Sequence, residues 1–292
     1  MGMRIRTNVS SLTAQRHLET NTRKQDATYE ALSSGKRINK SADDAAGLAI
    51  SENLRSKVRG SAQALRNAND AVSLLQIAEG GMEEITNIMI RMRELTVQAA
   101  SDTLGERERG FLNKEYVELV DEIDRITGTV EFNGNKLLNN EDLENLVIQV
   151  GANDSTNGDG VNFDSITIDL SGLKFNSESL EFGKESEIGA ITGGDSPDRE
   201  SIIGKLSSID NALNRMAGER ATLGAKTSRL QSTINNLGIS IEGMETARSR
   251  IQDVDFASAT SELTQSRILS QSTTSVLAQA NQKPEMALQL LR

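Results

Sequence analysis

Cysteine and tryptophan are absent from the 292 residues, histidine occurs once and proline twice. Without cysteine there are no disulfides, no thiolate nucleophiles and no thiolate metal sites. With His17 alone, no two-histidine metal site and no HExxH pair can be built. Aromatic residues are few, six Phe and two Tyr, and six of the eight fall between positions 111 and 182. Conventional apolar packing therefore belongs to the central part of the chain. No apolar run approaches the length that crosses a bilayer, so no membrane insertion is expected. Arg4 and Arg6 are followed by no apolar stretch, and the N-terminus does not read as a secretory signal peptide. Met1-Gly2 lacks the Ser or Thr that myristoylation needs at the sixth position, where Arg6 stands.

Charge is plentiful but uneven. The formal net charge is −10, yet residues 1–40 carry 8 basic and 3 acidic side chains, whereas residues 131–200 carry 4 basic and 15 acidic ones. An acidic middle repels nucleic acid, and the basic N-terminal arm lacks the aromatics and clustering of a binding patch, so no nucleic-acid partner is expected.

What the sequence does contain is helical periodicity. From Ala46 to about Ala100 there is no proline, and Ile50, Leu54, Val58, Leu65, Val72, Leu75, Met82, Ile85, Met89, Met92 and Leu95 recur at steps of three and four. About 55 helical residues would form a rod roughly 80 Å long, with Gly60 and Gly80-Gly81 as weak points. The C-terminal half is stricter. Positions 213, 216, 220, 223, 227, 230, 234, 237, 241, 244, 248 and 251 alternate steps of three and four, and nine of the twelve are apolar, the pattern of a coiled-coil seam. A shorter helix over residues 106–128 supplies a third member, and the methionines read as core filler. Between the rods, "NLVIQVGA" and "DSITIDLSGLKF" alternate like short strands bounded by turn residues. The expected fold is mainly α: long coiled-coil rods formed by the N- and C-terminal halves, with a small central β-hairpin region.

"SSGKRINKSADDAAGLAIS", residues 33–51, interrupts this pattern with a basic cluster before an acidic pair. It is not a phosphate-binding loop, because Glu30 stands where the first glycine belongs and Arg37 follows the lysine. It reads as a joint between two helices. Gly35 takes the left-handed stop, with Lys36 and Arg37 near the negative helix end. Ser41 is the expected N-cap of the next helix, with Asp43 and Asp44 in its first turn. Gly47, inside that helix, implies a neighbouring backbone packed close.

Other constellations do not build sites. "NDSTNGDGVNFD" has Asn153, Ser155, Asn157, Gly158 and Asp164 at EF-hand spacing but lacks the first Asp and the final Glu, and reads as a polar hairpin loop. Glu83-Glu84 and Asp121-Glu122 read as solvated helix faces, and no Gly-x-Ser-x-Gly motif occurs. Neither a catalytic site nor a cofactor or metal is expected. Asn8 and Asn153 carry glycosylation sequons. The terminal stretches 3–34 and 257–292 are crowded with Ser, Thr, Gln and Asn, too polar to fold alone, and are expected to order only against each other or against further copies.

These stretches resemble a known family. "IRTNVSSLTAQRHL", "SSGKRINKSADDAAGLAIS", "RELTVQAAS", "FNGNKLL", "IQVGAN" and the run from Ala247 to Arg292 are similar to bacterial flagellin, over about residues 3–153 and 200–292. The resemblance implies a subunit that self-assembles into the flagellar filament, exported unfolded by the flagellar export apparatus without a cleaved signal peptide, and held beforehand at its C-terminal arm by a flagellin chaperone. It also implies hook-associated and cap proteins as partners. The implied organisation is an inner-core arm 1–44 pairing with 254–292, a helical rod domain 45–152 returning at 201–253, and a short variable surface insert at 153–200, whose acidic stretch 183–200 with Pro197 precedes the returning helix. An animal innate immune receptor is a further implied partner, with contact positions falling by motif on Arg91, Leu95 and Glu115. Two features depart from the family. The insert is short, and "LGERERGFLNKE" is unusually charged for the start of a helix. A hook–filament junction protein and a non-polymerising coiled-coil adaptor remain as alternatives.

Overall fold

The computed structural model describes residues 7–139, 145–153, 162–177, 179–180 and 199–289. Five helices dominate: α1 (Val9–Ser34), α2 (Ala45–Ala99), α3 (Glu106–Thr129), α4 (Arg199–Gln252) and α5 (Phe256–Gln289). Four short strands, β1 (Glu131–Phe132), β2 (Asn135–Lys136), β3 (Asn145–Gln149) and β4 (Ser165–Asp169), form two antiparallel pairs. The mainly α architecture with a small β-hairpin region is thus what the chain adopts. The EF-hand-like loop over 154–161 and the acidic stretch before Pro197 lie outside the described residues.

The chain divides into two compact units, residues 59–241 and residues 1–58 with 242–292. In the unit of residues 59–241, α2 turns Ala68, Ala71, Leu75, Ala78, Met82, Ile85, Met89 and Met92 into one core. Steps of three and four keep these positions on one helix face. α3 adds Tyr116, Val120 and Ile123, and α4 adds Ile209, Met216, Leu223 and Leu230. None of the twelve seam positions of α4 is exposed, and from Ile234 onwards they are only half-buried. α2 does not break at its glycines. At Gly60 and Gly81 an added Cβ would lie 2.9 Å from Ala152 and 2.8 Å from Val130, so these glycines let other segments approach the helix.

The apolar stripe of α2 departs from expectation at its start. Ile50 is 52 % exposed, because Gly47 and Ser51 occupy the inward positions there. The seam continues in small residues, Ser51, Ser61, Ala64 and Ala68, which a search for large apolar side chains passes over.

β1 and β2 close around Asn133 (φ 52°) and Gly134 (φ 81°), with Glu131 facing Lys136 and Phe132 facing Asn135. Two consecutive left-handed residues define the tight hairpin turn that Asn-Gly favours. β3 and β4 pair from Asn145↔Asp169 to Gln149↔Ser165, and β4 buries Ile166 and Ile168 while β3 leaves Val147 outside.

After β4 the chain forms a strap through a 3-10 turn at Ser171–Leu173, and both neighbouring helices hold it. From α3, the Asp124 carboxylate accepts from the Ser177 N–H at 2.7 Å and from its hydroxyl at 2.8 Å. From α4, the Arg215 guanidinium lies 5.6 Å from the Phe175 ring centroid and donates to the Ser179 and Lys174 carbonyls.

The charged segment before α3 is compatible with a helix start. Glu106 and Glu108 sit in the first turn, where the helix dipole favours acid. Arg109 folds back to donate to the Ser101 carbonyl at 3.1 Å.

Candidate assembly surface and helix joint

In the second unit α1 packs on α5. Their interface is made of small and polar groups: among the described side chains of the two helices the buried ones are Ser11, Ala14, Thr28, Ala259, Ser266 and Ala280. Polar pairs fix the register. Asn8 caps α1 by accepting from the Ser11 N–H at 3.1 Å, and its amide donates to the Ala280 carbonyl at 2.8 Å. That double engagement occupies the side chain that glycosylation of the first sequon would require. The Ser11 hydroxyl meets Asn281 at 2.9 Å, and Arg267 lies over the Tyr29 ring at 5.5 Å while donating to its hydroxyl. Pairing of Asn8 with Ala280 and of Tyr29 with Arg267 sets the two helices antiparallel.

Apolar side chains are left outside this pairing. Val9 and Leu12 on α1, and Phe256, Ile268, Leu269 and Val276 on α5, are exposed, Leu12 by 60 % and Ile268 by 64 %. Six uncovered apolar residues on two helices that bury mostly alanine and serine make a surface suited to further helices.

The joint at residues 33–51 is a joint, but its parts differ from expectation. Gly35 has φ 71° and ends α1 as expected. Ser41 does not start α2. The helix begins at Ala45, and Asp44 caps it by accepting from the Gly47 N–H at 2.9 Å. Three residues that could each cap compete here, and only Asp44 stands immediately before the first helical residue. Asp43 instead turns back to accept from the N–H groups of Asn39 (3.0 Å) and Lys40 (2.8 Å), and these bonds hold its carboxyl below the usual range. Lys40 pairs with Glu30 at 2.7 Å, which raises its pKa.

Arg37 does not serve the end of α1 either. Its guanidinium donates to the Ile251 carbonyl at 2.6 Å, in the last turn of α4. The Lys36 backbone forms an isolated antiparallel β-bridge with Asp253. Gly47 is flanked by side chains, with Ile38 Cδ1 2.8 Å from where its Cβ would be, and not by a neighbouring backbone.

Arg91 and Glu115 meet across α2 and α3 in a 2.7 Å ion pair, Arg91 also reaching Glu94 at 3.0 Å. Hydrogen bonding to Glu115, then to Glu94, raises the Arg91 pKa. Leu95, the third position carried over by motif, is 1 % exposed and belongs to the core, since it continues the Ile85, Met89, Met92 stripe. Of the carboxylate pairs, Glu83 and Glu84 are exposed, and Glu122 is paired with Arg125, which lowers its pKa. Among the described residues no acidic or histidine cluster could hold a metal, and no helix is long and apolar enough to cross a membrane.

Long helices packed along an apolar seam, and a terminal helix pair that buries small residues and leaves apolar ones uncovered, define a helical structural subunit. Comparison with known proteins gives the family. The models of the bacterial flagellin N-terminal and C-terminal helical regions match residues 5–142 and 206–291. Flagellins of Halalkalibacterium halodurans and Bacillus subtilis are each 40 % identical to this chain, over 99 % of it and the whole of each relative. A Vibrio parahaemolyticus structure assigned as flagellar hook-associated shares the fold at 14 % identity, with a TM-score of 0.57 over 72 % of this chain and 100 % of that one. The chain belongs to the bacterial flagellins, the structural subunits of the extracellular flagellar filament.

Proposed function

We propose that this chain builds the filament by folding coupled to binding, with α1 and α5 as the device. The observation that carries this is the uncovered apolar set on the terminal pair, Leu12, Phe256, Ile268 and Val276 among it. A pair that buries mainly alanine and serine gains too little to offset the roughly 1–2 kcal/mol per residue that ordering the backbone costs. Neighbouring copies at a growing tip supply the missing apolar contact. The chain acts as a structural polymer and not as an enzyme, and the arm–rod–insert organisation with boundaries at 44/45, 152/153, 200/201 and 253/254 belongs to the same reading.

The same reading includes export without a cleaved signal peptide, a chaperone on α5, and hook-associated and cap proteins at the filament ends. It also includes an animal innate immune receptor. Support for the last is the exposed Arg91–Glu115 pair on α2 and α3. Leu95 would act there only by packing beneath Arg91, being buried. Receptor affinity unchanged by Arg91→Glu with Glu115→Lys would remove this partner. Nothing observed favours the junction-protein or adaptor alternatives.

The deciding experiment is seeded growth followed by sedimentation and electron microscopy. Full-length chain should elongate filament fragments, and chain without residues 1–40 and 257–292 should remain soluble and helical. Failure of full-length chain to elongate any seed would overturn the proposal.

A further inference from the structure

Two interruptions break the helices in the unit of residues 1–58 and 242–292: residues 35–44 between α1 and α2, and residues 253–255 between α4 and α5. They are not equivalent. The first is written into its own sequence, with a left-handed Gly35, Asp43 binding two backbone N–H groups and Asp44 capping α2. The second has no breaker. Asp253, Val254 and Asp255 include neither glycine nor proline, and none has positive φ.

A helix end needs partners for its last carbonyls, and a C-terminal glycine usually provides the geometry. Here the partners come from more than two hundred positions away in sequence. The Gln252 carbonyl accepts from the N–H groups of Arg37 (2.6 Å) and Ile38 (3.5 Å), and the Ile251 carbonyl accepts from the Arg37 guanidinium. In return the Val254 N–H, which a continuing helix would direct at Arg250, donates to the Gly35 carbonyl at 3.1 Å. Ile38, 1 % exposed, anchors the donor segment.

We propose that the first joint creates the second: residues 35–38 are a clasp that stops α4 at Gln252, and without it α4 and α5 run on as one helix. Arg37 is the positioning residue, holding two of the three donors that reach the end of α4. This goes beyond filament formation and describes a conformational choice in the C-terminal chain, made by the N-terminal one. It makes the direction of α5 conditional on the first joint being in place. Asp255, whose carboxylate accepts from the Ala257 N–H at 2.9 Å, then starts α5 afresh.

The test is the backbone carbon chemical shift of Val254 in labelled full-length chain copolymerised as a minor fraction with unlabelled, unaltered chain, where the terminal helices are ordered, with Leu230 as an internal marker that α4 is folded. In the unaltered chain Val254 should give a non-helical shift. Arg37→Pro removes both the N–H and the guanidinium and should move it to the helical value, Arg37→Ala should move it partway, and Arg37→Lys should leave most of it unchanged. A Val254 shift that stays non-helical in Arg37→Pro, whether extended or random coil, while Leu230 remains helical would overturn the clasp. So would a helical Val254 in the unaltered chain. Growth is supplied by the unaltered chain and read separately by sedimentation, so failure of the clasp and failure of the filament reading are separate results.

Discussion

The unit of residues 59–241 and the unit of the two chain ends are both helical, yet they bury different things. The first closes on Met82, Ile85, Met89, Met92, Tyr116, Phe175 and Met216, all nearly inaccessible. In the second, which buries Ile38 and Val58 near its joint, the α1–α5 pair buries Ser11, Ala14, Thr28, Ala259, Ser266 and Ala280 and leaves Leu12, Phe256 and Ile268 outside. Burying a Leu, Ile, Phe or Met side chain is worth about 1.5–3 kcal/mol, whereas Ala and Ser offer a fraction of that. One unit is therefore stable by its own packing. The other has a register, set by polar pairs, but its apolar contribution is deferred until other surfaces arrive.

The largest expected effect tests that contrast with one kind of truncation in each unit. Ile85→Ala, in the closed core, should lower the free energy of unfolding by about 2–5 kcal/mol in urea titration followed by circular dichroism. Leu12→Ala, at an exposed site, should change the same titration by less than about 0.5 kcal/mol. It should instead raise the critical concentration for polymerisation by roughly tenfold or more, the equivalent of one leucine's burial. A Leu12→Ala chain that unfolds early yet polymerises normally would erase the distinction between the units.

A second difference appears at alkaline pH. Burial pushes the Tyr116 phenol up to about 12 from an ordinary 10.0. A group whose folded pKa is raised contributes its stability fully below the unfolded pKa and loses it as pH rises through the folded one. The closed unit should therefore lose about 2–3 kcal/mol between pH 10 and 12 on this account, two units at about 1.4 kcal/mol each. Tyr116→Phe should flatten that limb, as read from the difference between two urea series. An identical loss in the variant would assign the alkaline transition to other groups.

Much of this contrast was legible in the sequence, and what escaped has a physical reason. Apolar residues at steps of three and four located α2, α3 and the seam of α4, because one face of a long helix must be buried and large side chains mark it. The polar composition of α1 and α5 marked helices that bury little apolar surface. Ile50 was misplaced because the inward positions around it are Gly47 and Ser51, and a seam of small residues leaves no hydrophobic signal. The cap moved from Ser41 to Asp44 because several capping residues stood within one turn and local sequence does not rank them. Leu95, a contact position by motif, lies in the core where its own spacing from Met92 places it. The β1–β2 hairpin had a signal in Asn133-Gly134 that could have found it. The role of Arg37 had none, since its partners lie at Ile251 and Gln252 and only the folded chain brings them together.

The smallest expected effect concerns how the open unit keeps its register. Arg267 stacks on Tyr29 at 5.5 Å and donates to its hydroxyl, on a partly exposed face where such contacts contribute little. Arg267→Ala, Tyr29→Ala and the double variant form a cycle whose readout is the critical concentration. A coupling of about 0.5–1 kcal/mol, a few-fold in concentration, is expected if the pair aligns α1 with α5. Neither residue is one of the six uncovered apolar side chains, so each single change should cost less than Leu12→Ala. Zero coupling would mean that Asn8 with Ala280 and Ser11 with Asn281 fix the register by themselves, at the far end of the helix pair. Coupling larger than the whole effect of Leu12→Ala would mean that the open unit depends on polar alignment more than on buried apolar surface, reversing the contrast with the closed one.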